Sequence, residues 1–147
     1  MRKLRNDELG RIDVEGYKLA GKSPIIIVLD NIRSLNNIGS VFRTADAFLV
    51  EKIYLCGITA TPPHKDIHKT ALGATDSVDW EHVPETITLV ERLKNEGCHI
   101  ISVEQAENAT QLNDYAPINE KKQVLVFGNE VKGVTQNVVS ASDQVLE

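Results

Sequence analysis

The sequence predicts an α/β protein built on a parallel, Rossmann-like sheet. Short apolar runs alternate with stretches whose apolar residues recur at three- and four-residue steps, the order expected of strands connected through helices. The first run, Ile25-Ile26-Ile27-Val28-Leu29, reads as a buried strand. The length of 147 residues suits one domain. A chain of that size buries about two-thirds of its unfolded surface, enough for one core.

Residues 1–23 read as an N-terminal extension with a helical portion. Lys22-Ser23-Pro24 ends it, because the residue before proline is driven out of the helical region. The first strand is 25–29, followed by a polar turn from Asp30 to Leu35. Val41, Ala45 and Phe48 then repeat at helical spacing, which predicts a helix over 37–48. The second strand, 52–56, closes on Gly57, and Pro62-Pro63 makes 58–65 a loop. A short helix near 66–72 and a short edge strand over 78–83 come next. Ile87, Val90 and Leu93 predict a helix over 86–96, stopped by Gly97. Strands at 98–103 and 123–127, a helix near 134–141 and a last strand at 144–146 complete the pattern.

Several functions are disfavoured by the same reading. No G-x-G-x-x-G follows the first strand, which weakens a dinucleotide site. No G-x-x-x-x-G-K-[ST] occurs, which argues against a P-loop NTPase. Cys56 and Cys98 lie in strand-like runs and read as buried free thiols of a reducing compartment. His64, His68, His82 and His99 form no ligand pattern, so no metal is expected. The polar first 22 residues carry no secretory signal and no run reaches membrane-spanning length, so a cytoplasmic location and no membrane partner are expected. Apolar content of 41% and charged content of 25% are those of an ordinary globular domain.

A net charge of −5 argues against indiscriminate nucleic-acid binding but leaves room for a local basic patch. Arg2, Lys3, Arg5, Arg11, Lys18 and Lys22 outnumber Asp7, Glu8, Asp13 and Glu15 in the extension. That excess fits either a solvated arm or an arm that touches RNA.

The segment Asn36 to Phe48 holds the densest chemistry. A helix beginning near Asn36 or Asn37 points free N–H groups and a positive dipole end at a ligand, a setting that favours anions. Arg43 adds a guanidinium, the side chain best matched to phosphate. Arg43 would anchor a phosphate or pair with Asp46 or Glu51 on the surface. Asn37 would bind substrate or cap the helix. Glu130 follows Gly128-Asn129 at a strand end, where open sheets bind ligands, or it is a first-turn helix glutamate. Ser40 has no histidine in a nucleophile setting, so no serine triad is expected.

The run Asn36-Asn37-Ile38-Gly39-Ser40-Val41-Phe42-Arg43-Thr44-Ala45-Asp46-Ala47-Phe48 resembles the first motif of the SpoU (TrmH-like) RNA 2′-O-methyltransferases of the SPOUT superfamily. Leu125-Val126-Phe127-Gly128-Asn129-Glu130-Val131-Lys132-Gly133-Val134 resembles their second motif, the strand and loop that wrap the methyl donor. Lys69-Thr70-Ala71-Leu72-Gly73-Ala74 also looks like this family, so the similarity runs from Pro24 to Glu147. Two motifs in the right order are much more specific than either alone.

The resemblance implies S-adenosyl-L-methionine as cofactor, tRNA or rRNA as partner, a ribose 2′-hydroxyl as methyl acceptor, and a homodimer whose partner completes the site. It implies Asn37, Arg43 and Glu130 as catalytic residues. Val103, Glu104, Phe127, Gly128, Asn129 and Gly133 are implied on the donor side. A guanidinium is a poor base because its pKa exceeds about 12, so anchoring and orientation suit Arg43 best. Methyl transfer needs no enzyme nucleophile, only alignment of hydroxyl, methyl and sulfonium sulfur and help for the departing proton.

The family's third motif, an Ile-Pro pair followed by a Ser-Leu-Asn run, does not occur before Glu147. The expectation is therefore an extension over 1–23 and a C-terminally incomplete methyltransferase domain over 24–147, a SPOUT-type sheet with its trefoil-knot segment missing. Such a chain is expected to hold the donor weakly and to expose apolar surface along its last strand. The alternative is a non-catalytic RNA-binding or interaction module derived from the same fold.

Overall fold

The computed structural model describes residues 1–147. Its elements are α1 (Val14–Leu19), β1 (Ser23–Asp30), α2 (Leu35–Ala47), β2 (Val50–Cys56), α3 (Lys65–Ala71), α4 (Ala74–Ser77), β3 (Trp80–Val83), α5 (Thr86–Asn95), β4 (His99–Val103), β5 (Gln123–Phe127), α6 (Gln136–Ala141) and β6 (Gln144–Leu146). Single 3-10 turns occur at Asn6–Leu9 and Leu112–Asp114. The six strands form one sheet in the order β3-β2-β1-β5-β4-β6, and every pairing is parallel.

β1 is a central strand, and its two faces explain its composition. Ile27 and Leu29 pack with Ile38, Phe42, Leu55 and Ile67, while Ile26 and Val28 pack with Leu89, Leu93, Val126 and Val138. With helices over both faces, a strand carries apolar side chains at nearly every position. Helices α1 to α4 supply one layer, and α5 and α6 the other.

Three local features position the elements that matter later. Ser34 caps α2, its hydroxyl accepting the Asn37 N–H at 3.2 Å. The helix therefore starts two residues earlier than its apolar spacing predicts, and neither Asn36 nor Asn37 is the cap. Gly39 lets α3 lie directly on α2, since a Cβ there would sit 2.2 Å from the Ile67 carbonyl oxygen. The expected helix near 66–72 is α3, and a further single turn, α4, follows it after Leu72 and Gly73 adopt left-handed φ values of 50° and 91°.

The helical part of the N-terminal extension, α1, is docked on the domain. Tyr17 of α1 is buried, and its hydroxyl donates to the carbonyls of Val50 at 3.2 Å and Ala45 at 3.4 Å. Cys56 and Cys98 are buried and unpaired. No helix is long and apolar enough to cross a membrane.

The last strand does not expose the apolar surface its sequence predicts. Leu146 is buried, because the segment at Thr110 lies along β6 as an added parallel bridge. Thr110 donates its N–H to Val145 and accepts from Glu147. Apolar surface opens instead beside α2, in a groove of about 330 Å³ whose lining includes Ile25, Val41, Phe48, Leu125 and Phe127.

Candidate functional site

Because all strands are parallel, their carboxyl ends share one edge of the sheet. The strand order reverses at β1, with β2 and β3 on one side and β5, β4 and β6 on the other. A crevice at such a switch point is where open α/β sheets bind ligands. The segment 31–37 follows β1, the loop 128–134 follows β5 and Glu104 follows β4, so all three meet there.

Glu130 joins the first two of these. Its carboxylate accepts the backbone N–H groups of Arg33 at 3.0 Å and Ser34 at 2.9 Å, and the Asn37 side-chain amide at 3.2 Å. Burial pushes the Glu130 carboxyl up, but hydrogen bonds from Arg33, Ser34, its own backbone N–H and Asn37 outweigh it and hold the pKa down at about 2. Glu130 sits in the loop before α6, so it is not a first-turn helix residue. With an N–H spent on Glu130, Asn37 keeps its amide oxygen as a free acceptor.

The lowered pKa gives a sign to the pH dependence. Stability from Glu130 is fully present above the ordinary carboxylate range and is lost as pH falls through that range toward about 2. Glu130→Gln is therefore expected to cost about 1 kcal/mol at pH 7, discounted for exposure, and to flatten the stability profile in acid. Urea unfolding across a pH series measures both; identical profiles for the two proteins would show that the contact contributes nothing.

The loop after β5 is built by Asn129. Its side chain donates to the Asn31 carbonyl at 2.8 Å and accepts the N–H groups of Val131 at 2.9 Å and Lys132 at 3.0 Å. Its backbone exchanges two hydrogen bonds with Gly133. A Cβ on Gly128 would lie 2.0 Å from Val134 N, and one on Gly133, at φ 70°, would lie 2.0 Å from Glu104 Oε2. Both glycines thus serve the closure of the loop itself. Glu104 reaches in from β4, its carboxylate accepting Val134 N–H at 2.8 Å and Gln105 N–H at 2.9 Å. Val103 and Phe127 lie half-buried at the ends of β4 and β5.

Asp30, which the sequence reading passes over, anchors the same region. It is fully buried at the end of β1 and accepts from Thr86 Oγ1 at 2.5 Å, Thr135 Oγ1 at 2.5 Å, Thr135 N at 2.8 Å and Asn31 Nδ2 at 2.9 Å. A carboxylate closing a run of five apolar residues was the available signal. Burial pushes the neighbouring Cys56 thiol up to about 12, which keeps it protonated.

Arg43 lies apart from Asn37 and Glu130. It is exposed on α2 and lines a cleft of about 740 Å³ with Arg11. The surface ion pair open to it in sequence is not formed: Asp46 accepts the Ser77 hydroxyl at 2.6 Å, and Glu51 pairs with Lys122 at 2.6 Å. His64 accepts the Asp66 N–H at the start of α3, and no three His, Cys, Asp or Glu side chains converge. The structure thus brings Asn37 to Glu130 and Glu104 to the loop of Gly128, Asn129 and Gly133, and leaves Arg43 on a neighbouring surface.

Known proteins share this architecture. The TrmH/SpoU tRNA modifying enzyme of A. aeolicus superposes with a TM-score of 0.76 at 23% identity, covering 89% of this chain and 66% of that one. AviRb of Streptomyces viridochromogenes, solved with AdoMet, gives 0.75 at 17% identity over 88% of this chain and 52% of that one. At these identities the likeness shows the fold. An uncharacterized tRNA/rRNA methyltransferase of Borreliella burgdorferi is 27% identical over 123 residues, 83% of this chain and 52% of the relative. The chain spans about half the length of the curated relatives it matches. The SpoU rRNA Methylase family matches residues 24–147. The chain belongs to that family.

Proposed function

We propose that this chain forms the donor- and ribose-binding part of an S-adenosylmethionine-dependent RNA 2′-O-methyltransferase acting on tRNA or rRNA. The observation that carries this reading is the contact of Glu130 with Asn37 and the turn before it, which joins the two sequence motifs at the switch point of the sheet. The family, the tRNA/rRNA methyltransferase relative and the AdoMet complex of AviRb support it.

The residues fit the donor. S-adenosylmethionine is a sulfonium cation, and the carboxylates of Glu104 and Glu130 flank the strand ends where it would sit. Bound there, it would supply an electrophilic methyl group. Val103, Glu104, Phe127, Gly128, Asn129 and Gly133 would hold it, largely through the backbone of a loop already closed by its own hydrogen bonds. Such pre-organisation spares the cost of ordering the loop on binding.

The acceptor side is Asn37 and Arg43. Asn37 presents its amide oxygen to the 2′-hydroxyl proton, while Glu130 fixes the amide's orientation. Arg43 anchors a backbone phosphate and so sets the ribose in place. The reading includes a homodimer, for which the apolar groove beside α2 offers a surface.

Methyl transfer from labelled donor to bulk tRNA and rRNA tests the proposal. A methylated 2′-oxygen cannot attack its own phosphate, so label is expected in alkali-resistant dinucleotides. Label confined to mononucleotides would mean base methylation, and no label would mean a non-catalytic module. Sedimentation of the same preparation is expected to give twice the mass of one chain; the mass of a single chain would remove the dimer.

A further inference from the structure

The cleft that Arg43 lines is closed on its far side by the N-terminal extension, which lies outside the residues that match the family. Arg11 faces it from the stretch just before α1. Both guanidiniums are exposed, and none of the six ion pairs of the chain involves either. The two carboxylates in the cleft, Asp13 and Asp46, pair with neither arginine. Asp13 accepts the Gly16 N–H at 2.7 Å as the cap of α1, and Asp46 accepts the Ser77 hydroxyl at 2.6 Å.

Arg11 is not on a loose tail. It lies two residues before the Asp13 cap, and α1 is pinned through Tyr17 to Ala45 and Val50, next to Arg43 in α2 and β2. Two permanently charged arginines thus line one cleft with no ion-pair partner in the chain. A phosphate group matches their planar guanidinium forks in charge and geometry. The net charge of −5 makes this a local site, not part of a basic surface.

We infer that Arg11 and Arg43 together hold a backbone phosphodiester of the substrate RNA, so that the extension forms part of the RNA site. The inference rests on the methyltransferase reading for its ligand. It goes beyond that reading in assigning a phosphate contact to a residue outside the family match.

Binding of bulk tRNA and of bulk rRNA, each measured against salt concentration, tests it on whichever RNA the unaltered protein binds. Each phosphate contact adds about 0.7–0.9 to the slope of log affinity against log salt. Arg11→Ala is expected to lower that slope by about one contact and weaken binding about five- to tenfold at low salt. Arg11→Lys restores the slope but not the full affinity, because it keeps the charge and loses the fork. Lys3→Ala, a cation of the same extension outside the cleft, leaves both unchanged, and S-adenosylmethionine affinity stays constant throughout. An unchanged slope in Arg11→Ala, beside a lowered one in Arg43→Ala, would overturn this inference alone. An equal effect from Lys3→Ala would reduce the extension to diffuse charge and overturn it too. Failure of the unaltered protein to bind either bulk tRNA or bulk rRNA would sink the methyltransferase reading with it.

Discussion

Arg43→Ala is expected to abolish 2′-O-methyl transfer in the protein that carries this sequence, while leaving donor affinity and folding stability unchanged. In the proposed reading Arg43, on α2, belongs to the acceptor side, whereas the loops assigned to the donor follow β4 and β5. It has no ion-pair partner to strand, so its removal costs the fold little. Loss of a charge-assisted phosphate contact costs about 1.5–3 kcal/mol, or about ten- to a hundredfold. Misplacement of the ribose adds a further factor of about a hundred, because alignment carries much of a transfer reaction. Arg43→Lys is expected to recover little, since an ammonium lacks the planar fork. Single-turnover transfer to bulk tRNA and rRNA, with donor titration and thermal unfolding alongside, separates these effects. Near-normal transfer by Arg43→Ala would return the residue to a solvated surface role.

The contrast between Arg43 and Glu130 shows what the sequence could convey. Both were legible as family-motif residues, and the strand runs 25–29 and 123–127 that precede them in sequence were legible from composition. Their environments were not. Glu130 is fixed by the N–H groups of Arg33 and Ser34, 97 and 96 residues away in sequence, and no periodicity reports a contact of that range. The cap of α2 was misplaced for a local reason: Ser34, Asn36 and Asn37 are all good caps, and only the path of the turn selects Ser34. α4 was missed because it is a single turn of four residues, too short for a period. The cover over β6 was missed because Thr110 pairs with a strand at the opposite end of the domain's second half. Asp30 was overlooked for the same reason as Glu130's partners, since its tie to Thr135 spans 105 residues.

That tie is expected to be the largest single stabilising feature outside the apolar core. Asp30 is fully buried, and four donors from Asn31, Thr86 and Thr135 converge on its carboxylate. Asp30→Ala would leave the Thr86 and Thr135 hydroxyls and the Thr135 N–H without their acceptor. Each unsatisfied buried group costs about 1–3 kcal/mol, and a hydroxyl that turns to a new partner recovers part, so the expected loss is about 3–5 kcal/mol. Asp30→Asn keeps the shape and one acceptor, and is expected to lose about half as much. The effect reaches the site by geometry: Asn31 opens the turn whose N–H groups hold Glu130, and Thr135 ends the loop that presents it. Hydrogen exchange at the Arg33 and Ser34 amides is therefore expected to quicken in Asp30→Asn, beyond the change set by global stability. A double-mutant cycle between Asp30→Asn and Thr135→Val in urea measures the coupling directly. Additive losses, with unchanged exchange at Arg33 and Ser34, would show that the buried carboxylate stabilises β1 alone and does not position the site.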